Sequence, residues 1–165
     1  MGRFNFAKNL ESLIEALPGT GFGLDMVGTG EGKQALEQLV EKHGADVRFL
    51  GRIPQEELPA KLGQYRYFIL PSRYEGMPKA LLEAMACGLC CIGTEVTGIR
   101  EVIHHGETGL LIPGIEANTI RASLEQIRGY DATALGSAAR DYIVEHHSIE
   151  GLAKLEMAVM REIQA

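Results

Sequence analysis

The chain has 165 residues, of which 45% are hydrophobic and 23% are charged. This is the length of one domain, and the composition supports a sizeable core and excludes a disordered chain. The formal net charge is −6, which excludes a global attraction for nucleic acid or anionic lipid. No apolar run approaches the roughly 20 residues of a membrane-spanning helix, and the first residues lack a signal-peptide pattern. We therefore expect a cytoplasmic domain with no nucleic-acid partner.

Short apolar runs alternate with segments of helical periodicity through most of the chain. The predicted strands span residues 23–27, 47–50, 67–70, 90–93 and 109–112. The predicted helices span residues 10–17, 33–42, 59–63, 79–87 and 99–104. Apolar strands separated by helices indicate βαβ units and a parallel sheet that is covered on both faces. The predicted fold is an α/β, doubly wound parallel sheet, which binds ligands beyond the carboxyl ends of its strands.

The segment from about residue 117 to residue 165 is predicted to form two or three helices. Five of its apolar residues recur at spacings of three and four and form one stripe: Leu152, Leu155, Val159, Met160 and Ile163. No repeat or charge block marks a second domain. Residues 1–165 are therefore interpreted as one Rossmann-like domain with a helical C-terminal tail.

The three cysteines lie close together, at Cys87, Cys90 and Cys91. The spacing of the first two matches half of a redox or zinc motif, which His104 and His105 are the candidates to complete. Because there is no second cysteine pair, we expect small buried apolar residues instead, and no metal site.

The segment Glu75-Gly76-Met77-Pro78 separates a predicted strand from a predicted helix. Proline suits the first turn of a helix, so Glu75 is expected on the loop and Glu83 in the second helical turn. The amides of Gly76 and Met77 and the helix N-terminus would then face a volume suited to an anion. The two carboxylates suit vicinal hydroxyl groups of a ribose or a sugar. A carboxylate pair taken alone is more often an ordinary solvated pair.

Two cations, Arg3 and Lys8, lie near a turn at the start of the chain. An arginine fork and a lysine point charge can together clamp a diphosphate. Without further context, both side chains would be interpreted as ordinary surface charges.

The chain resembles the nucleotide-sugar-binding, C-terminal half of a retaining glycosyltransferase of the GT-B fold, in family four (group 1). Seven motifs carry this resemblance in chain order: Gly2-Arg3 with Lys8-Asn9, Val27-Gly28-Thr29-Gly30, Val47-Arg48-Phe49-Leu50-Gly51, Pro71-Ser72-Arg73-Tyr74-Glu75-Gly76, Glu83-Ala84-Met85-Ala86-Cys87-Gly88, Gly98-Ile99-Arg100-Glu101-Val102-Ile103 and Gly106-Glu107-Thr108-Gly109-Leu110-Leu111. It covers roughly residues 1–115. The chain departs from the family where Cys90 replaces a proline and Thr97 replaces a glycine.

The resemblance implies a role for each of these charged residues. Glu75 would be the catalytic residue and would contact the transferred sugar, Glu83 would accept the ribose hydroxyls, and Arg3 and Lys8 would bind the diphosphate. The same resemblance places seven further residues at the donor: Gly51, Arg52, Gly76, Met77, Pro78, Gly98 and Ile99. No Asp-x-Asp motif is present, so the expected reaction uses neither a metal nor a cofactor.

Three alternatives remain beside a metal-independent hexosyltransferase. One is a non-catalytic nucleotide-sugar-binding module or regulatory subunit, although the intact charged residues argue mildly against degeneracy. Another is a nucleotide-sugar 2-epimerase, which shares the GT-B fold but not the motifs around Glu75 and Glu83. The last is a glycosidase that uses these two glutamates as nucleophile and acid, which requires carboxyls about 5–9 Å apart.

A GT-B enzyme also has an N-terminal Rossmann-like domain, here expected in cis or in trans. That half contributes acceptor contacts, and any peripheral membrane contact would be made through it. The sequence identifies neither the acceptor nor the nucleotide-sugar. We expect the isolated chain to be inactive as a transferase.

The resemblance also implies a strand before the Gly-Arg loop, in the middle of a sheet of order 3-2-1-4-5-6. Only Met1 precedes Gly2, so this first strand is expected to be missing. We expect a chain cut from a longer polypeptide or numbered from an internal methionine. Otherwise the slot must be closed by residues 1–6, by another chain, or by direct pairing of the strands at 23–27 and 67–70.

Overall fold

The structure is a computed structural model that describes residues 1–147. Six strands lie within this part of the chain: β1 (Gly2–Arg3), β2 (Leu24–Thr29), β3 (Val47–Gly51), β4 (Tyr67–Leu70), β5 (Cys90–Thr94) and β6 (Leu110–Ile112). The helices are α1 (Leu10–Ala16), α2 (Lys33–His43), α3 (Leu58–Leu62), α4 (Lys79–Ala86), α5 (Thr97–Arg100), α6 (Ala117–Gln126) and α7 (Ala132–His146). Short 3-10 turns span Phe6–Lys8 and Ile127–Gly129.

The strands form two parallel sheets of three strands, in the orders β1-β2-β3 and β4-β5-β6. Helices separate successive strands, as parallel crossovers require. The predicted α/β, doubly wound, Rossmann-like fold is confirmed. One predicted element was wrong in extent, because α5 ends at Arg100 and a turn replaces the rest of the predicted helix at 99–104.

A slot separates β2 from β4. Among residues 1–147, no backbone pairing joins these two strands, and an apolar cavity of about 130 Å³ lies between them. Strand β1 pairs only with the carboxyl end of β2, through Gly2 with Gly28 and Arg3 with Thr29. Direct pairing of β2 with β4, one of the closures expected from the sequence, therefore does not occur. The first residues cover one end of the slot.

Helices cover both faces of the second sheet, and alternate residues of β5 contact the two sides. Cys90 and Ile92 pack in the cluster that contains α1 and α6, whereas Cys91 packs in the cluster that contains α4 and α7. Cys90 and Cys91 are fully buried, as expected, whereas Cys87 at the end of α4 is only partly buried. Burial raises the pKa of the Cys90 thiol to about 11, so this thiol stays protonated at neutral pH.

Helices α6 and α7 lie in the segment predicted as a helical tail. Helix α7 begins after Asp131, whose side chain accepts hydrogen bonds from the amides of Thr133 and Ala134, a cap that satisfies two of the free donors at the helix start. The apolar stripe predicted at 152–163 lies outside the described residues. No helix within residues 1–147 is both long enough and apolar enough to span a membrane.

Candidate functional site

A polar cleft of about 430 Å³ opens at the carboxyl ends of β1, β2 and β3. Its walls include Arg3 at the end of β1, Thr29 at the end of β2, Arg52 directly after β3, and Glu83 on α4. This location lies beyond the carboxyl ends of parallel strands, which is where open α/β sheets bind ligands. The volume is within the range of roughly 300–1,000 Å³ that is common for small-molecule sites.

Two glycines allow the start of the chain to approach the end of β2, and one of them, Gly28, lines the cleft. Gly28 has φ +139°, and a Cβ built on it would lie 1.8 Å from the carbonyl oxygen of Gly2. A Cβ on Gly30 would lie 2.5 Å from the carbonyl oxygen of Phe4. The Val27-Gly28-Thr29-Gly30 motif therefore permits a backbone approach that any side chain would block.

Glu83 projects from the second turn of α4, as the sequence predicted. Helix α4 begins at Lys79, directly after the N-cap residue Pro78. Gln55, on the loop after β3, donates a hydrogen bond through Nε2 to Glu83 Oε1 at 2.9 Å. Both side chains line the cleft, so the loop after β3 and helix α4 together hold one carboxylate in the cleft that Arg3 also lines.

Glu75 lies on the loop between β4 and α4 and forms an ion pair with Lys8. The Lys8 Nζ to Glu75 Oε1 distance is 2.5 Å, and the side chains are only 22% and 12% exposed. Ser72 Oγ also donates to Glu75 Oε1, at 2.7 Å. Lys8 ends the 3-10 turn after β1, and a Cβ on Gly2 would lie 3.9 Å from Lys8 Cε. Lys8 is therefore beside β1 and pairs with the catalytic candidate, and it lines the slot and not the cleft.

The Glu75 loop docks closely against the start of α5. The Gly98 amide donates to the Glu75 carbonyl at 3.3 Å. A Cβ built on Gly98 would lie 2.1 Å from the Gly76 carbonyl oxygen. The Gly98-Ile99 motif thus holds the loop in place, and the Ile99 side chain is fully buried in the core.

The structure brings only three of the predicted residues together in the cleft wall: Arg3, Arg52 and Glu83. The other predicted residues lie outside the cleft lining: Lys8, Gly51, Glu75, Gly76, Met77, Pro78, Gly98 and Ile99. Met77 is 72% exposed, whereas Pro78 is buried. Gly51 ends β3 with φ +71°, which turns the chain toward Arg52.

Sequence reasoning missed Gln55 and Ser72, the side chains that hold the two carboxylates. Gln55 follows Arg52 on one loop, and Ser72 precedes Glu75 by three residues, but neither spacing by itself indicates a hydrogen bond. Among the described residues, no group of three or more histidine, cysteine or acidic side chains is arranged to hold a metal ion.

Comparison with known proteins adds three findings. The profile of the family described as "Glycosyl transferases group 1" matches residues 1–128. A GDP-mannose-dependent alpha-(1-6)-phosphatidylinositol monomannoside mannosyltransferase of Mycobacterium tuberculosis is 30% identical over 162 residues, which is 88% of this chain and 42% of that protein. The chain spans less than half the length of such curated relatives, 44% in the case of a putative colanic acid biosynthesis glycosyltransferase of Salmonella typhimurium.

Two solved structures show the same fold. The C-terminal domain of the group 1 glycosyl transferase LpcC from Francisella tularensis superposes with a TM-score of 0.78 at 22% identity, over 90% of this chain and 84% of that one. Anabaena HepE, solved in complex with UDP-glucose, superposes with a TM-score of 0.82 at 20% identity, over 98% of this chain and 48% of that one.

Proposed function

Because this chain belongs to the glycosyl transferases of group 1, we propose that it forms the donor-binding half of a retaining, metal-independent glycosyltransferase of family four. Its substrate is a nucleoside-diphosphate sugar. The polar cleft is the observation that carries this proposal, because it places Arg3, Arg52 and Glu83 around one volume at the strand ends. The UDP-glucose complex of the similarly folded HepE supports a nucleotide-sugar as the ligand.

The cations act on the diphosphate. Arg3 in the cleft wall and Lys8 beside β1 hold the phosphates, with Arg3 as a fork and Lys8 as a point charge. When the bond between sugar and phosphate breaks, negative charge grows on the departing nucleoside diphosphate. Cations fixed at that position stabilise the transition state, an effect often worth several kcal/mol. Two side-chain cations can supply this stabilisation without a metal or a cofactor.

The carboxylates act on hydroxyl groups. Glu83, held by Gln55, accepts hydrogen bonds from the ribose. Glu75, which Ser72 and Lys8 both contact in the structure without ligand, accepts a hydroxyl of the transferred sugar and stabilises the positive charge that develops at its anomeric carbon. Glu75 is therefore the proposed catalytic residue.

The second half of the active site comes from an N-terminal GT-B domain, in cis or in trans. Three large apolar side chains on or beside the Glu75 loop and the 3-10 turn are exposed: Phe6, Tyr74 and Met77. Such a surface suits an apposed domain. Residues 1–165 alone should transfer no sugar, because positioning of the acceptor supplies much of the rate acceleration. The full enzyme acts in the cytoplasm, with any membrane contact made through its other half.

Isothermal titration calorimetry tests this proposal on the 165-residue chain with UDP, GDP, ADP and their sugar conjugates. We expect one nucleotide to bind, and we expect Arg3→Ala to weaken its binding about tenfold or more, since a charge-assisted contact is lost. The matched control is Arg140→Ala, which removes an exposed arginine on α7. Equal weakening by both variants, or no binding of any nucleotide, would contradict the proposal.

A further inference from the structure

Two different donors share one oxygen of Glu75. Lys8 Nζ and Ser72 Oγ both reach Oε1, at 2.5 Å and 2.7 Å. No side chain among residues 1–147 donates a hydrogen bond to the other oxygen, Oε2. The carboxylate is thus held by one oxygen and presents the other as an acceptor.

The two donors differ in how firmly they are fixed. Ser72 is fully buried, and its carbonyl oxygen accepts a hydrogen bond from Thr94 Oγ1 at 2.5 Å. Thr94 ends β5 and is itself 1% exposed. A line of hydrogen bonds therefore connects the central strand of the second sheet to Glu75. Lys8, in contrast, is a long side chain that retains 22% exposure.

A bound diphosphate would attract Lys8 away from Glu75. The ammonium group of lysine is a point charge on a flexible stem, and it reorients toward the larger negative charge. Glu75 would then lose one of its two donors at the moment when it must contact the sugar. Ser72 remains as the donor that holds Oε1.

We propose that Ser72 is a positioning residue, anchored by Thr94, that holds the Glu75 carboxylate toward the sugar after the diphosphate has engaged Lys8. This role rests on the proposed function. By holding Glu75 toward the sugar, Ser72 would raise the affinity of the chain for a nucleotide-sugar relative to the plain nucleoside diphosphate. Ser72 itself contacts neither.

The test measures the affinities of a nucleoside diphosphate and of its sugar conjugate. Three pairs are first titrated into the parent chain: UDP with UDP-glucose, UDP with UDP-N-acetylglucosamine, and GDP with GDP-mannose. The pair that binds is then used for the variants. Ser72→Ala should weaken binding of the sugar conjugate about tenfold, the effect of one lost bond to a charged group. It should leave nucleoside diphosphate binding within about twofold. A purely structural role for Ser72 would weaken both ligands equally.

The matched control is Ser123→Ala, which removes a buried serine hydroxyl on α6 that donates to the Thr119 carbonyl and not to a carboxylate. It should change neither affinity. Thr94→Val removes the anchor of Ser72 without touching Glu75 and should reproduce the selective loss, whereas Thr94→Ser keeps the hydroxyl and should restore the affinity. The two Thr94 variants test the role of Ser72 even if Ser72→Ala does not fold.

Equal affinities for the sugar conjugate in Ser72→Ala or Thr94→Val and the parent would overturn the role of Ser72 and leave the proposed function intact. A parent chain that binds none of the three pairs would remove the proposed function, and the role of Ser72 with it.

Discussion

At the scale of single residues, Glu83 is either a carboxylate that binds hydroxyl groups of the ligand or an ordinary solvated helix residue. Removing its charge distinguishes these two interpretations most directly. Glu83→Gln keeps an acceptor and the shape of the side chain but removes the charge. Charge-assisted hydrogen bonds are roughly twice as strong as neutral ones. We therefore expect both nucleoside diphosphate and nucleotide-sugar affinity to fall about threefold to tenfold in a calorimetric titration.

Glu37→Gln is the matched control for this substitution. Glu37 is a half-exposed carboxylate on α2 that pairs with Lys33 at 3.2 Å, outside the cleft lining. The Glu37→Gln variant should bind the nucleoside diphosphate and the nucleotide-sugar as tightly as the parent chain does. If Glu83→Gln behaves like Glu37→Gln, the ribose is bound elsewhere.

A second residue-scale prediction concerns Asp25, a carboxylate in the wall of the slot. Its side chain is 6% exposed and accepts hydrogen bonds from Arg48 and from the Tyr65 hydroxyl at 2.5 Å. Burial disfavours its charged form, but the hydrogen bonds from Tyr65 and Arg48 prevail and lower its pKa below the ordinary value. A carboxylate with a depressed folded-state pKa stabilises the fold above its unfolded-state pKa of about 3.9.

That stabilisation should disappear as the pH falls below about 4 and through the folded-state pKa. Asp25→Asn should therefore lower the free energy of unfolding by about 1–3 kcal/mol at pH 7. The difference from the parent should shrink in urea titrations at lower pH. Asp46→Asn changes an exposed carboxylate and is the control. A difference that stays constant with pH would show that the charge of Asp25 is not responsible.

Three of the charged residues singled out from the sequence, Arg3, Arg52 and Glu83, line the cleft, but the side chains that hold Glu83 and Glu75 were not predicted. Charged residues in a family motif, such as Glu75 and Glu83, indicate a binding or catalytic role through their residue type and spacing. Ser72 and Gln55 are neutral, and their contacts depend on the rotamers of both partners and on how two loops meet. Lys8 shows the same limit, since its pairing with Glu75 spans 67 positions of sequence.

At the scale of elements, the docking of the Glu75 loop on α5 depends on a glycine. Gly98→Ala should displace this loop, because the added Cβ would overlap the carbonyl oxygens of Gly76 and Glu75, which would lie 2.1 Å and 2.7 Å away. Overpacking of this kind destabilises proteins by about 1–3 kcal/mol. We expect a corresponding loss in urea unfolding, together with weaker nucleotide-sugar binding.

Gly129→Ala provides the control, because a Cβ at that position meets no atom within 4 Å and its φ is not positive. It should leave stability and binding close to those of the parent. A Gly98→Ala variant as stable as Gly129→Ala would show that the loop can move aside without loss.

Strands and helices were predictable to within a few residues where hydrophobic periodicity was strong, as in β5 and α4. The error at α5 has a physical cause. Val102 and Ile103 continue the apolar pattern but enter the core from a turn, and burial alone does not require a helix. Strand β1 was not predicted, because two residues carry no periodicity. Its pairing becomes clear only from Gly28 in β2 and Gly30 directly after it, which leave room for the chain at residues 2–4.

At the scale of the whole molecule, the described residues 1–147 form two three-stranded sheets that no backbone hydrogen bonds join to each other. The slot between β2 and β4 is apolar, whereas the cleft at the strand ends is polar. A nucleoside diphosphate is highly charged, and burial of unpaired charge in an apolar site is strongly unfavourable. On the proposed function, the donor would therefore bind in the cleft and not in the slot.

Backbone-amide chemical-shift mapping of the 165-residue chain during titration with the nucleoside diphosphate that binds it tests this placement most directly. The account predicts that the largest shift changes cluster at Arg3, Thr29, Arg52 and Glu83, with smaller changes on the Glu75 loop. Saturable changes centred on the slot residues Met26 and Phe68, or on α7, with the cleft amides unmoved, would contradict it.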